Sequence, residues 1–297
     1  MAKIYFAKMN INDEIFEVYK GEKELSSLLK KIYEKINNED ELYDEYGGRY
    51  KFFDLDKVVD DNTKGSLQIL GRLGYIKKGV HSSYDPGNDT AIDLEDKNKL
   101  EYVTFYFDVD RELIAFNSKI GLNRYKFVEI FPALIKESSD IGVQLMTETN
   151  FEELKLQIGR IKTLKRINLK LVPPNGDKRE FADLYSLDAD KYQEANITNI
   201  TQSLSTQTKR GLNKDSEAIK NVIKGIGLGY AEGRFIGKDS SNEDLEVDSS
   251  EEVPYTKTLS KNSTNDKQTI FTKGKAGFMN LLTRKAHIRE KGNDDRK

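Results

Sequence analysis

The chain has 297 residues, 37% hydrophobic and 33% charged, with 48 Lys and Arg against 50 Asp and Glu for a net charge of −2. That length supports one large domain or two ordinary ones. Its 15 Tyr and 14 Phe set it apart from disordered chains, its charge excludes a wholly basic binder but not a local basic face, and its lack of cysteine excludes disulfides, thiolate zinc sites, iron–sulfur clusters and cysteine nucleophiles.

The opening "MAKIYFAKMN" lacks the long apolar region of a signal peptide. No apolar run reaches the roughly 18 residues of a membrane span. A cytoplasmic protein with no membrane partner is expected. "KIYFA" and "EIFEVY" read as two short strands around the turn Asn10 to Asp13. A helix follows, with Leu25, Leu28, Leu29, Ile32, Tyr33 and Ile36 on one stripe. Glu39 to Glu45 reads as an exposed loop, the pattern from Leu67 to Lys99 is weak, and "SSYDPGNDT" is loop chemistry. "EYVTFYFDVDRELIAFN" is the best hairpin, with Val103, Phe105 and Phe107 alternating with polar or Tyr neighbours and Asp108 to Arg111 in the turn. "RYKFVEIFPALIKE" has helical periodicity that Pro132 kinks or restarts. "IGVQLMT" reads as a strand and "FEELKLQIGRI" as a helix.

In the second half, Ile167, Leu169 and Leu171 alternate with Arg166, Asn168 and Lys170 in a half-buried strand that Pro173-Pro174-Asn175-Gly176 stops. Helices are expected over 180–185, 191–204 and 216–224, then two strands around "KDSSNED". Asp239 to Glu252 holds seven acidic residues and no basic one, and the chain up to Gln268 reads as loop or mobile. "AGFMNLLTRKAHIREKG" closes the chain as a basic amphipathic helix, apolar through Phe278, Met279, Leu281, Leu282 and Ala286 and charged through Arg284, Lys285, Arg289 and Lys291. The expected fold is α+β: mixed sheets with packed helices, two subdomains (1–160 and 161–260) and a mobile segment with the tail helix (261–297).

The stretch "IKGIGLGYAEGRFIGKD" invites a phosphate-loop reading. A phosphate loop needs a strand, then glycines, then a helix, whereas here a helix precedes the glycines and Glu232 stands where G-x-G-x-x-G needs glycine. The glycines are therefore structural, with Gly225 capping the helix. His81 and His287 sit beside a loop and in the tail helix, contexts of exposed histidines. Asp-x-Asp at Asp108/Asp110 can hold Mg²⁺ at a strand end. It recurs at Asp54/Asp56 and Asp188/Asp190 as ordinary turn chemistry, and Asp85 with Glu95-x-Lys97 matches a nuclease pattern that chance also supplies in so charged a chain.

The coherent functional feature is basic. Lys162, Lys165, Arg166, Lys170, Lys178 and Arg179 crowd the alternating strand and its turn, Lys209, Arg210 and Lys214 flank Gly211, and Lys220 and Lys224 follow on a helix. Arg166 and Lys170 share the solvent face of the strand if Leu169 and Leu171 point inward. Such a face neutralises phosphates of DNA or RNA. The competing reading is a solvated surface with acidic neighbours Asp177, Glu180 and Asp183.

The succession "FYFDVDRELIAFN", "KFVEIFPALI", "LKLVPPNG" and "GLNKDSEAIKNVI" resembles uncharacterised bacterial proteins of prophage and phage-defence loci. The resemblance implies a role in anti-phage defence, or in a mobile element's relation with its host, and assigns no active-site residue. The leading expectation is a non-enzymatic nucleic-acid-binding or sensing component, with no cofactor and no metal. The alternatives are a Mg²⁺-dependent nuclease or abortive-infection toxin, and an adaptor whose tail helix takes a protein partner through Phe278, Leu281 and Leu282.

Overall fold

The computed structural model describes residues 2–60, 65–175, 178–185, 187–260 and 263–294, with side chains for all of these except 60 and 291–294. Strand β1 (Ala2–Ile11) leads into helices α1 (Ile15–Lys20) and α2 (Leu25–Lys35). Strands β2 (Glu41–Tyr43), β3 (Arg49–Asp60), β4 (Ser66–Asp85), β5 (Thr90–Asp108) and β6 (Leu113–Asn117) follow. Then come α3 (Arg124–Ser139), β7 (Val143–Thr147), α4 (Phe151–Arg160), β8 (Thr163–Leu171), α5 (Lys178–Tyr185), α6 (Ala189–Glu194) and β9 (Ile200–Ser205). The chain closes with α7 (Glu217–Leu228), β10 (Ala231–Lys238), β11 (Asp244–Asp248), β12 (Thr256–Leu259) and α8 (Lys267–Asp294).

The fold is α+β, with two sheets. The larger runs β12-β1-β6-β5-β4-β3-β2, with β7 also pairing β1, and the smaller runs β11-β10-β8-β9. Every strand pairing among the described residues is antiparallel, so the sheets are not mixed in direction. Alternation along the central strands feeds two cores. Met9, Phe105, Phe107 and Phe116 face α2 and α3, where the Phe116 and Phe127 rings stack at 3.8 Å. Phe6, Tyr106 and Ala115 face the opposite way, against Ile270, Phe278 and Leu281 of α8. The smaller sheet buries Ile167, Leu169, Leu171 and Phe235 under Phe181 and Leu184 of α5 and Ile219, Val222 and Ile226 of α7.

Several expectations change. "EIFEVY" forms helix α1, with Ile15 and Phe16 buried; β-forming residues follow the surface they pack on rather than an intrinsic preference. The helix expected over 191–204 ends at Glu194, and Asn196 turns the chain with φ 53 into strand β9. Glu41 to Tyr43 is an edge strand and not a loop. The weak stretch after Leu67 forms most of a hairpin of two strands about 20 residues long. Helix α3 continues through Pro132, so the proline does not start a new helix. The segment 239–268 contributes β11 and β12, so it is not a loop throughout. Gly176, Asp177 and the Lys291 side chain lie outside the described residues.

The tail helix is the largest correction. It docks on its own chain: Phe278 and Leu281 are buried, Phe278 packs 5.9 Å from Phe6 and 5.1 Å from Tyr106, and Leu282 packs at the edge of the same cluster. Ile288, two turns on, joins the core of the smaller sheet. Helix α8 is thus a shared element of both cores, and the apolar face assigned to a partner is already covered.

Candidate nucleic-acid interface

Strand β8 lies between β10 and β9, so its outward side chains stand in the middle of the small sheet. Arg166 pairs in register with Ser205 and Ile236, Asn168 with Ser203 and Arg234, and Lys170 with Thr201 and Glu232. With Ile167, Leu169 and Leu171 buried, this outer face carries Arg166, Asn168 and Lys170 beside the hydroxyls of Thr201, Ser203 and Ser205. Ser203 Oγ donates to Asn168 Oδ1 at 2.9 Å. A bulge shifts the register between β8 and β10, so two residues, Lys165 and Arg166, separate inward Leu164 from inward Ile167.

The loop after β9 brings further cations to this strand. Thr206 N donates to Lys165 O at 3.1 Å, Leu212 N to Leu164 O at 2.7 Å, and Lys165 Nζ to Thr208 O at 2.6 Å. Gly211 makes this close approach possible: its φ is +81°, and a Cβ there would sit 2.6 Å from Leu164 O. The pinned loop holds exposed Lys209 and Arg210 beside the start of β8, next to exposed Lys162 in the preceding turn.

Charge is graded across the sheet. On β10 and β11, Arg234 meets Glu246 and Asp248, each at 3.2 Å, and Lys238 meets Asp244 at 3.3 Å. On β8 and its loop, Lys162, Arg166, Lys170, Lys209 and Arg210 form no ion pair among the described residues. Arg234 and Lys238 thus pair with three carboxylates of an edge that stays acidic, whereas the β8–β9 half presents cations to solvent.

Two predicted members stand elsewhere. Lys178 and Arg179 belong to α5, which packs on the buried face, and Lys178 pairs with Asp190. Lys214 donates to Ile161 O at 2.7 Å at the end of α4, a structural role. Lys220 and Lys224 rim a separate cleft of about 860 Å³ between α4, α7 and α8. Thr201, Ser203 and Ser205 are not among the residues expected from the sequence, because a helix is expected over their segment. Ile200, Gln202 and Leu204 alternate with them, and that period of two was the available signal.

The other candidate chemistry resolves into structure. Asp108 is buried, accepts from Arg111 at 2.5 Å, and is pushed up in pKa by burial against the pull of that guanidinium. Asp110 accepts from Leu67 N at 2.7 Å. Asp54 and Asp56 pair with Lys267, and Asp188 caps α6. No group of three or more His, Asp or Glu with metal-binding geometry occurs among the described residues. His81 and His287 are exposed, His81 on the long hairpin and His287 at the rim of the cleft. In the glycine stretch, α7 runs past Gly225 and Gly227 to Gly229, which takes φ +82° and caps the helix in place of Gly225.

Gly229 also opens onto a buried charge network. A Cβ there would lie 2.9 Å from Glu148 Oε1 and 3.1 Å from Lys285 Nζ. Lys285 pairs with Glu148, Arg284 Nη2 lies 3.5 Å from the other Glu148 oxygen, and Lys8 pairs with Glu112. Asn175 Nδ2 donates to Glu112 at 2.6 Å, Asn10 Nδ2 to Gly229 O at 3.2 Å, and Lys8 Nζ lies 5.4 Å from the centre of the Tyr230 ring. Burial, reinforced by the nearby Lys8 charge, lowers the Lys285 ammonium to about 8 despite Glu148. These groups come from β1, the β5–β6 turn, the end of β7, the end of α7 and helix α8, so they tie both sheets together.

A family model described as "Domain of unknown function (DUF4747)" matches residues 2–275. The chain belongs to the DUF4747 family. The match takes in both sheets and ends within α8, so the basic face lies inside the family's domain. Among curated proteins no match was found. No described helix is long and apolar enough to cross a membrane.

Proposed function

We propose that this DUF4747 chain is a non-enzymatic nucleic-acid-binding component that holds phosphates on the β8–β9 half of its small sheet. The observation that carries the reading is the set of five cations without ion pairs among the described residues, Lys162, Arg166, Lys170, Lys209 and Arg210, on one strand, the turn before it and its pinned loop. Arg166 and Lys170 are four residues apart, about 13 Å along the strand, a reach of about two phosphate steps along one nucleic-acid strand. The neighbouring hydroxyls and Asn168 supply neutral donors. No aromatic side chain stands on the outward positions of β8, β9 or β10, so bases have nothing to stack on. Recognition is therefore of the backbone, with little preference among sequences.

The test is binding of labelled single- and double-stranded DNA and RNA across a salt series, with and without Mg²⁺. Five phosphate contacts to a single strand predict a log–log salt slope of about −3.5. Replacing Lys162, Arg166, Lys170 and Arg210 together by Gln abolishes most of this slope and weakens all sequences alike. Equal binding by this variant at low salt would refute the assignment, and Mg²⁺-dependent cleavage would favour the nuclease reading. The defence role implied by the resemblance belongs to the same proposal: cells expressing the Gln variant lose whatever reduction in phage plating the wild type confers.

A further inference from the structure

We infer that the long β4–β5 hairpin of one copy docks, by its acidic tip, in the basic cleft between α4, α7 and α8 of a second copy. The hairpin outgrows its sheet. Strand β3 accompanies β4 only to Ile76, and β6 accompanies β5 only from Phe105. From Lys77 to Asp85, β4 has only β5 beside it, through the register that ends at Asp85↔Thr90. Those nine residues make an arm about 30 Å long. A two-stranded ribbon with solvent on both faces is marginal alone, and both its edges present unpaired backbone groups.

Composition selects the partner. Lys77, Lys78, Lys97 and Lys99 stand at the base of the arm, but its outer part, Gly79 to Asp96, carries Asp85, Asp89, Asp93, Glu95 and Asp96 and no Lys or Arg. It also exposes large apolar side chains: Tyr84 at 67%, Leu94 at 57%, Val80 at 50% and Ile92 at 43%. Such a ribbon repels nucleic acid and repels an identical arm. It matches a basic surface with an apolar floor, and the chain presents one. The cleft of about 860 Å³ is lined by the apolar Phe151, Ile223 and Ile288 and by Lys220, Lys224 and Arg284, and its one carboxylate, Glu152, is paired with Lys155 at 2.8 Å. Lys220 and Lys224 form no ion pair among the described residues and supply the free charge, whereas Arg284 lies 3.5 Å from Glu148. Reciprocal insertion of two arms into two clefts closes a two-fold dimer.

The experiment is sedimentation equilibrium of the full chain at low and high salt, from 1 to 100 µM in round figures. Wild type dimerises, more weakly at high salt as screening requires. The reversal K220E/K224E and the reversal D93K/E95K each weaken dimerisation at least tenfold, and the two combined in one chain restore it. Leu94→Ser weakens it without changing its salt dependence. All these positions are at least partly exposed, so unchanged melting curves separate lost docking from lost folding. A wild-type monomer throughout this range overturns the inference. So does a dimer indifferent to both reversals, or one that each reversal breaks and the combination does not restore.

Discussion

The two sheets meet solvent in opposite ways. The larger is covered on one face by α2 and α3 and on the other by α8, and it buries Val103 to Asp108 of β5 as a continuous run. The smaller is covered on one face only, and its outward positions are almost all polar. A strand buried on both faces has its residues chosen by packing at every position. A strand buried on one face has every second residue free for surface chemistry. The basic row of β8 occupies such positions, and the arm is the part of the larger sheet that escapes cover.

Breaking the cover of the larger sheet should have the largest effect. Phe278→Ala removes a ring wedged between Phe6 and Tyr106 and is expected to destabilise the fold by about 3–5 kcal/mol. Urea unfolding checks it. A loss under about 1 kcal/mol would mean that α8 is a detachable tail after all.

The junction between the sheets comes next. Glu148→Gln leaves Lys285 and Arg284 buried without their carboxylate. Breaking a buried pair in this way costs about 3 kcal/mol or somewhat more. The same network predicts a pH dependence. Below pH 8 Lys285 is charged in folded and unfolded chains alike, and its burial penalty is fully present. Between about 8 and 10.5 the unfolded chain keeps a proton that the folded chain has released, so stability rises with pH across that window. Relative to Lys285→Met, the wild type therefore gains stability from pH 8 to 10. A flat difference would show that Lys285 titrates at its ordinary value.

A smaller effect is expected inside α7. Gly227→Ala puts a methyl 2.6 Å from the Phe151 ring and 2.9 Å from Ile288. Overpacking of this kind costs about 1–3 kcal/mol, offset in part by the better helix propensity of Ala. Thermal melting should fall while any nucleotide affinity stays unchanged. The smallest stability effect belongs to the open face. Arg166→Gln and Lys170→Gln should each stay within about 0.5 kcal/mol of wild type while weakening nucleic-acid binding. A large loss of stability from either would mean that the face is structural and the contrast between the sheets is misdrawn.

Much of this molecule was legible in the sequence because local periodicity reports local burial. The stripe of α2, the hairpin through Phe105 and Phe116, and the alternation of Ile167, Leu169 and Leu171 all reappear. So does the outward pairing of Arg166 and Lys170, which follows from a period of two once one face is buried. Helix-then-strand order also marked the glycine stretch as structural, although the cap falls at Gly229. What tertiary structure alone decided depends on partners far along the chain. "EIFEVY" is a helix because of what Ile15 and Phe16 pack against. Lys285 and Arg284 read as the solvent side of a basic helix, but Lys285 is buried because Glu148, 137 residues earlier, comes to meet it. Lys178 and Arg179 left the basic face because α5 crosses to the sheet's covered side. Lys209 and Arg210 already belonged to the basic feature in the sequence, and what the fold adds is the set of backbone hydrogen bonds that bring their loop back onto β8. A side chain's neighbours in sequence set its face on an element; which charges that face meets is set by how the elements pack.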